Sequence, residues 1–365
     1  MTRARALIRA DGSQSMGLGH VMRSLALAEA LAIRGWRVSF ALQGRPGHPA
    51  ETVRARGFET LLLPEGAPET DWTALGPRLE SGEIGLLVID HPEIDEAWQR
   101  RASERVPRLV ILDDRADRNF WGHVLINVSP GVKEEDYRPL VPEFCRLLLG
   151  PRYALIRPEF LAHRPVEVSH RPLRNVLVSF GGADGKNQTE KTLRALSRAA
   201  GVRELDVHVV LGGANRHAEN VPALLPELPF RVTVHRDVRD MASLTARMDL
   251  AVGAAGGSAW ERCCLGVPSV MVICDGTEAA AAEYLAKAGA GVNLGWHSAV
   301  RPEAITQTVQ SLLSDPVRLA EMRKGAWGFV DGQGPGRIVQ EIEAYRAHEV
   351  RETALGENFP VSPRG

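Results

Sequence analysis

The chain has 365 residues, which is long for one domain and sufficient for two domains that each bury a core. Its 44 Lys and Arg residues are balanced by 45 Asp and Glu residues, so no overall basic field exists to collect nucleic acid or an anionic membrane. We therefore expect neither a nucleic-acid partner nor a membrane partner.

The cysteines and the amino terminus indicate the compartment. No cysteine belongs to a CxxC pair or has metal-ligand spacing, and two are adjacent: Cys145, Cys263, Cys264 and Cys274. The amino-terminal apolar run is too short for a signal peptide, and no apolar stretch approaches the roughly 18 residues of a membrane span. These features predict a cytoplasmic protein without a disulfide framework and without a metal site.

Apolar runs of strand length alternate with segments of helical period along nearly the whole chain, which predicts a parallel α/β architecture. In the first half the predicted strands are 6–9, 37–42, 59–63, 86–90, 108–113 and 125–127. A polar segment with two prolines, residues 162–174, predicts a linker. The pattern then restarts with predicted strands 175–180, 206–211, 231–235, 250–253 and 269–274.

This pattern predicts two doubly wound, Rossmann-like domains, residues 1–165 and 170–347, with a cleft between them. Residues 348–365 lack periodicity and predict a flexible tail. In open parallel sheets ligands bind outside the carboxyl ends of the strands, so we expect functional residues in loops that follow strands.

The first such loop, GSQSMGLGH, ends in a histidine at the start of an amphipathic helix. Gly17 and Gly19 would let a ligand approach the backbone. The helix dipole and Arg23 favour a neutral imidazole at His20, with a lowered pKa, which suits a general base. The alternative interpretation is that His20 only caps the helix and that the glycines only form a turn, and a lone GxGH pattern does not decide between the two.

A second loop lies in the stretch AVGAAGGSAWERCC. Its small residues Gly256, Gly257 and Ser258 precede or open a helix whose free amides suit a pyrophosphate, and Glu261 is placed to accept hydrogen bonds from ribose hydroxyls. The alternative is that Ser258 and Glu261 form a capping box that only starts the helix.

A third loop, SFGGADGKN, contributes Gly181, Gly182 and Asn187, which follow the first strand of the second half. Asn187 has the alternative role of a helix N-cap. Two glycine-rich loops between strand and helix in one domain favour a nucleotide over two coincidental turns.

Arg23, which shares a helix face with His20, is expected to bind substrate, and other cleft residues are further candidates. Asp90 ends a strand and is expected to orient the substrate, whereas Asp11 is expected to orient the first loop through its backbone amides. Tyr153 is expected to line the cleft, with packing between the domains as the alternative. His91, Asp113 and Asp114 are expected to organise loops.

Five segments in this order resemble the UDP-sugar hydrolases of pseudaminic acid biosynthesis (PseG), which are related to spore-coat polysaccharide proteins of the SpsG type. The segments are RADGSQSMGLGHVMRSLALA, LLVIDH, LLLGPRYALIRPEF, VSFGGADGKN and GGSAWERCCLGVPS. The resemblance covers about residues 5–345 and implies a glycosyltransferase-B fold like that of MurG.

The resemblance also implies a reaction. Water would replace UDP at the anomeric carbon of UDP-2,4-diacetamido-2,4,6-trideoxy-β-L-altropyranose with inversion and without a metal or cofactor. His20 would be the base and Glu261 would bind ribose. The implied partners are the nucleotide-sugar substrate and other enzymes of the same pathway.

The chain departs from the family pattern at two places. Pro92 stands where an aromatic residue is common, and Thr277 and Glu278 stand where an Asn-Gln pair is usual near the nucleotide. Both changes bear on which sugar is accepted. Three other functions fit the residues: a glycosyltransferase, a non-catalytic nucleotide-sugar binding protein and a UDP-sugar 2-epimerase.

Overall fold

The computed structural model describes residues 4–13, 16–168, 170–236 and 238–345. The predicted tail, 348–365, lies outside these residues. Within them, no helix is long and apolar enough to cross a bilayer.

The first half forms a seven-stranded parallel sheet in the order β3-β2-β1-β4-β5-β6-β7. Its strands are β1 (Arg5–Ala10), β2 (Arg37–Gln43), β3 (Glu59–Leu63), β4 (Ile84–Asp90), β5 (Leu109–Leu112), β6 (Val124–Asn127) and β7 (Arg146–Leu149). The helices that connect or follow them are α1 (Gly19–Ile33), α2 (Ala50–Ala55), α3 (Pro68–Glu80), α4 (Glu96–Ser103), α5 (Glu134–Tyr137) and α6 (Pro158–Ala162).

The second half forms a six-stranded parallel sheet in the order β10-β9-β8-β11-β12-β13. Its strands are β8 (Asn175–Ser179), β9 (Asp206–Leu211), β10 (Arg231–Arg236), β11 (Leu250–Gly253), β12 (Ser269–Ile273) and β13 (Gly291–Trp296). The remaining helices are α7 (Gln188–Leu196), α8 (Val221–Leu224), α9 (Met241–Ala246), α10 (Gly257–Cys264), α11 (Ala279–Lys287), α12 (Pro302–Ser314), α13 (Pro316–Phe329) and α14 (Gly334–Ala344).

Both sheets are doubly wound, which confirms the predicted fold class. In each sheet the strand order reverses beside the first strand, between β1 and β4 and between β8 and β11. Loops at these reversals diverge to opposite faces of the sheet and leave a crevice at the carboxyl edge. The strand orders therefore place two candidate crevices, one in each half.

Apolar cores cover both faces of each sheet. The last helix, α14, packs against α1 and belongs to the core of the first half, because its buried residues Ile338, Val339 and Ile342 share one apolar cluster with residues of α1. The sequence had placed residues 334–344 in the second half. Helical periodicity predicts that such a helix buries one face, but it does not specify the sheet that receives the face.

Three interactions connect the carboxyl-edge regions of the two halves. Arg157, just before α6, pairs with Glu261 of α10. Gly131, after β6, has a φ of 80° and no room for a side chain, since a Cβ would lie 2.0 Å from the Tyr284 hydroxyl oxygen of α11. These contacts, with the electrostatic one described below, make the two carboxyl edges face a common cleft.

Candidate active site

The loop before α1 is held closed by its own backbone. Ser13 and Gly17 exchange backbone hydrogen bonds, and Gly17 has a φ of 79°, which glycine adopts without strain. Gly12 is needed as well, since a Cβ there would lie 3.1 Å from the Gly17 carbonyl oxygen. Gly19 opens α1 with unobstructed space where a Cβ would be. Gly17 and Gly19 therefore leave open space at their own positions just before His20.

His20, in the first turn of α1, lies against the end of β4. Its Nδ1 is buried 3.2 Å from Oδ1 of Asp90, a close contact that lacks the angle of a well-formed hydrogen bond. The His20 side chain is 28% exposed and the Asp90 side chain is fully buried. Because Nδ1 is covered, the exposed part of the ring belongs to the other edge. Catalytic hydrogen bonds are often loose in ligand-free enzymes and tighten on binding.

The pKa of His20 is raised, so the prediction of a lowered pKa is wrong. Burial acts to lower the pKa, but the close polar contact with the Asp90 carboxylate and the Coulomb attraction to it outweigh burial and the opposing charge of Arg23. The sequence-based argument counted the helix dipole and Arg23, but the carboxylate comes from a strand about 70 residues away. The arrangement still suits a base, since a carboxylate behind an imidazole orients it and stabilises the imidazolium that forms.

Asp90 is the centre of this cluster. Its two oxygens accept hydrogen bonds from Arg23 Nε at 2.7 Å, Arg23 Nη2 at 2.6 Å and the Ser24 hydroxyl at 3.1 Å. Burial would raise the pKa of Asp90, yet the Arg23 guanidinium holds it well below its usual range. Asp90 is therefore a fixed carboxylate that positions His20, and it is too buried to reach the substrate in the role first expected.

Arg23 differs from its predicted role. Its Nη1 donates to both oxygens of Asp114 at 2.7 Å, while Nε and Nη2 serve Asp90. Every nitrogen of the guanidinium donates to Asp90 or Asp114, so Arg23 links the end of β4 to the loop after β5 and has little hydrogen-bonding capacity left for a substrate phosphate. Asp114, which the sequence placed only as a loop organiser, completes this clamp.

Asp11 also lies in a structural network. It is buried and accepts two hydrogen bonds from Arg9 and one from the Gln43 backbone amide. His91 Nε2 lies 3.1 Å from its side-chain oxygen Oδ2. Arg9 donates in turn to the buried Asp71. Asp11 thus joins β1 to β2 and β4. Among the described residues of the glycine-rich loop, none donates a backbone amide to the Asp11 carboxylate, so the predicted role of Asp11 in orienting this loop is not supported.

Tyr153 is buried in the core of the first half and does not line an open cleft. The start of α14 packs directly on the backbone at Tyr153. A Cβ at Gly334 would lie 2.6 Å from the Tyr153 carbonyl carbon, so there is no room for a side chain between them. The alternative interpretation, packing, is the one that the structure supports.

At the crevice of the second half, α10 begins without a side-chain cap. Gly256 is the N-cap residue, and Ser258 lies inside the helix, so the capping box considered from the sequence does not form. The backbone amides of Gly257 and Ser258 open the helix, where no intrahelical carbonyl is available to them. Both oxygens of Glu261 accept from Arg157, at 2.6 and 3.1 Å, so a ribose would have to share this carboxylate with a guanidinium.

Two charged residues flank this helix start. Arg262, which the sequence analysis missed, lies buried beneath the loop and donates to the Ala254 carbonyl and to the Ser258 hydroxyl. Glu278 accepts the Cys274 backbone amide at 2.8 Å. Thr277 is exposed and donates to Asp275 through its amide and its hydroxyl.

Asp275 provides the third link between the halves. Hydrogen bonds from Thr277 lower the pKa of Asp275, and Arg115, from the loop after β5, adds to this effect. Arg115 follows Asp114 of the Arg23 clamp. The loop after β5, which carries Asp114 and Arg115, and the loop that carries Glu278 are therefore near enough for their charges to interact.

The third glycine-rich loop has a different cap from the one expected. Asp184 accepts the amides of Gln188 and Thr189 at 2.8 and 2.9 Å, whereas Asn187 makes no cap and donates to Glu190. Gly181 has a φ of 77°, and the Gly182 carbonyl oxygen lies 2.3 Å from where a Cβ of Gly212 would be. This loop is thus fixed by turns and close packing beside β8.

These contacts predict unequal effects of two alanine substitutions. Asp184→Ala removes both capping bonds of α7 and is expected to lower the free energy of unfolding by about 1–2 kcal/mol. Asn187→Ala, the matched control, removes the bond to Glu190 and no capping bond, and because both residues have a positive φ, 39° at Asp184 and 51° at Asn187, the backbone strain added by Ala is similar in the two variants. Asn187→Ala is therefore expected to cost less than Asp184→Ala. Urea unfolding followed by circular dichroism measures both, and equal effects would contradict the assignment of the cap.

Comparisons with known proteins agree with this architecture. No family model matches the chain. It is 26% identical over 346 residues to the spore coat polysaccharide biosynthesis protein SpsG of Bacillus subtilis, covering 94% of this chain and 99% of the relative. It is 31% identical over 157 residues to the UDP-2,4-diacetamido-2,4,6-trideoxy-β-L-altropyranose hydrolase of Campylobacter jejuni, covering 43% of this chain and 53% of that protein.

Among solved structures, MurG of Acinetobacter baumannii superposes with a TM-score of 0.66 at 19% identity, covering 93% of this chain and all of that one. At this identity the likeness concerns the fold. With the two strand orders, it shows a glycosyltransferase-B fold built of two Rossmann-like domains.

Proposed function

We propose that the chain hydrolyses a UDP-activated diacetamido sugar, UDP-2,4-diacetamido-2,4,6-trideoxy-β-L-altropyranose, to UDP and the free sugar. The single observation that carries the proposal is the imidazole of His20, backed by the buried Asp90 carboxylate, at a carboxyl edge that faces a helix start suited to a diphosphate. The resemblance to the C. jejuni hydrolase over 157 residues supports this choice of substrate.

The chemistry begins with a water molecule on the face of the sugar opposite UDP. His20 accepts a proton from this water through Nε2 as the water oxygen bonds to the anomeric carbon. The bond from that carbon to the diphosphate oxygen breaks, and the electron pair leaves with UDP. Attack from the opposite face inverts the anomeric configuration.

Asp90 acts on this step through His20. It holds Nδ1 of the ring, so that Nε2 is the atom directed to solvent, and it stabilises the imidazolium once the proton has arrived. The negative charge on the leaving diphosphate is met by the amides of Gly257 and Ser258 and by the nearby guanidinium of Arg262. The step uses residues of this chain and water alone.

A glycosyltransferase is the second candidate. The likeness to MurG extends over 93% of the chain, whereas the likeness to the hydrolase extends over 43%. In a transferase, His20 would take the proton from a sugar hydroxyl in place of water.

Release of UDP in the absence of any acceptor separates the two candidates. Purified protein incubated with the UDP-diacetamido sugar alone is expected to release UDP stoichiometrically with free sugar, measured by ³¹P and ¹H NMR. If UDP is released only when an acceptor is added, and no UDP is released in buffer alone, the result would favour the transferase and overturn the hydrolase proposal.

A further inference from the structure

The guanidinium of Arg262, buried at the start of α10, forms no ion pair with any residue that the structure describes, although Glu261 and Glu278 act on it over a longer distance. Arg262 is 2% exposed, and its guanidinium donates only to neutral acceptors: the Ser269 hydroxyl at 2.8 Å, the Ser258 hydroxyl at 3.1 Å and the Ala254 carbonyl at 2.7 Å. Buried charges are normally paired, because the cost of removing them from water is otherwise large. One positive charge is therefore available beneath this loop to balance an anion.

A carboxylate already stands beside this helix start, on the neighbouring loop between β12 and α11. Oε2 of Glu278 accepts the Cys274 amide, and a Cβ placed on Gly256 would lie 3.3 Å from its Oε1. No Lys or Arg forms an ion pair with Glu278 among the ion pairs within the described ranges. The Glu278 side chain thus covers the N-cap of α10, where the proposed function places the diphosphate.

Burial favours the neutral form of Glu278 and is the main cause that raises its pKa, and charge repulsion from Asp275 of its own loop adds to this effect. Hydrogen bonds from the backbone of Cys274, Asp275 and Ala255 act in the opposite direction but do not outweigh burial. From α10, Glu278 faces Arg262. The Cys274 thiol interacts electrostatically with Glu278. It also interacts with Asp184 and Lys186 of the loop after β8 and with Lys191 of α7.

We propose that Glu278 takes up one proton from solvent when the diphosphate of the nucleotide sugar binds at α10, so that this residue makes nucleotide binding depend on pH. The inference rests on the proposed function and names a determinant of binding at the same site. A diphosphate diester brings two negative charges to a loop that holds one buried cation and a helix dipole. An ionised Glu278 would add a third negative charge at contact distance.

Protonation removes this repulsion and gives the loop a new donor. A neutral carboxyl group has an O–H that can donate to a phosphate oxygen, which the carboxylate cannot do. Binding is therefore expected to weaken as the pH rises, because the complex takes up a proton when it forms and the proton concentration falls with rising pH.

The test uses isothermal titration calorimetry with the UDP-diacetamido sugar, in a His20→Gln background that prevents turnover and removes the titration of that histidine. The diphosphate diester keeps a constant charge between about pH 5 and about pH 8, since its phosphates have no pKa near 6 as a terminal phosphate does. The Kd is expected to rise with pH, with a limiting slope of about tenfold per pH unit. Buffers of different ionisation enthalpy should report uptake of up to one proton per complex.

Glu278→Gln is expected to abolish both the slope and the proton uptake, with affinity at about pH 8 restored to the acid-side value of the parent. Asp275→Asn, which neutralises a nearby exposed carboxylate, is the matched control and is expected to keep most of the slope. A slope that survives Glu278→Gln would overturn the inference while leaving the proposed function intact. Absence of binding by every variant at every pH would contradict both.

Discussion

His20→Gln is expected to lower kcat by about 10²- to 10⁴-fold while leaving the Kd for UDP nearly unchanged. The reason is that the substitution removes a positioned base, which contributes a factor of this size to the rate, and touches neither the α10 loop nor the Arg23 clamp. Steady-state kinetics with the UDP-diacetamido sugar give kcat, and calorimetric titration with UDP gives the Kd.

The matched control is His163→Gln, which changes an exposed histidine beyond α6. It should leave both quantities at wild-type values. Loss of UDP binding together with activity in His20→Gln would show a structural histidine and would refute its catalytic assignment.

Asp90→Asn is expected to reduce both catalysis and stability. The amide cannot stabilise the imidazolium of His20, so kcat should fall by about 10²-fold or more, within the range typical of acid–base catalysis. Arg23 would lose two charge-assisted hydrogen bonds, each contributing roughly 1.5–3 kcal/mol, so the free energy of unfolding should fall by about 2–3 kcal/mol after partial compensation by Asp114. Urea unfolding and steady-state kinetics measure the two effects.

The pH profile distinguishes positioning from a purely structural role. A base must be unprotonated, so kcat/KM should rise with pH through the raised pKa of His20. Asp90→Asn removes the main group that raises this pKa, and the acid limb of the profile should move to lower pH. Asp114→Asn is the control: it weakens the same clamp but should shift the limb less, because Asp114 contributes least among the causes of the His20 shift. An unmoved limb in Asp90→Asn would contradict the pairing.

The sequence predicted most of the fold because buried parallel strands leave strong apolar runs. Eleven strands were expected, and the two that were missed, β7 and β13, each lie at the outer edge of a sheet. Strand β7 has only four residues, and β13 contains Gly291 and Gly295 and is half-buried up to its exposed last residue, Trp296. An edge strand needs only one apolar face and one paired side, so its pattern is weak.

The site could be predicted only where local pattern determines it. The GxGH loop and the α10 loop were found, since glycines and small residues before a helix are visible in the chain itself. The partners of the charged residues were not found: Asp90 beside His20, Asp114 on Arg23 and Arg157 on Glu261 all join segments distant in sequence. Side-chain pairing across a fold depends on register and packing, which composition and spacing do not specify.

The position of α14 shows the same limit. Its apolar face indicated a packed helix, but its partner proved to be α1, more than 300 residues earlier in the chain. As a result, Tyr153 is enclosed under α14 and its predicted contact with substrate is lost.

The most direct test of His20-assisted attack by water is to follow hydrolysis of the UDP-diacetamido sugar by NMR in water enriched in ¹⁸O. Label in the free sugar at the anomeric carbon, with the inverted anomer formed first, is the result that the geometry predicts. Label in UDP would show that the phosphorus–oxygen bond breaks instead, and would contradict attack on the sugar.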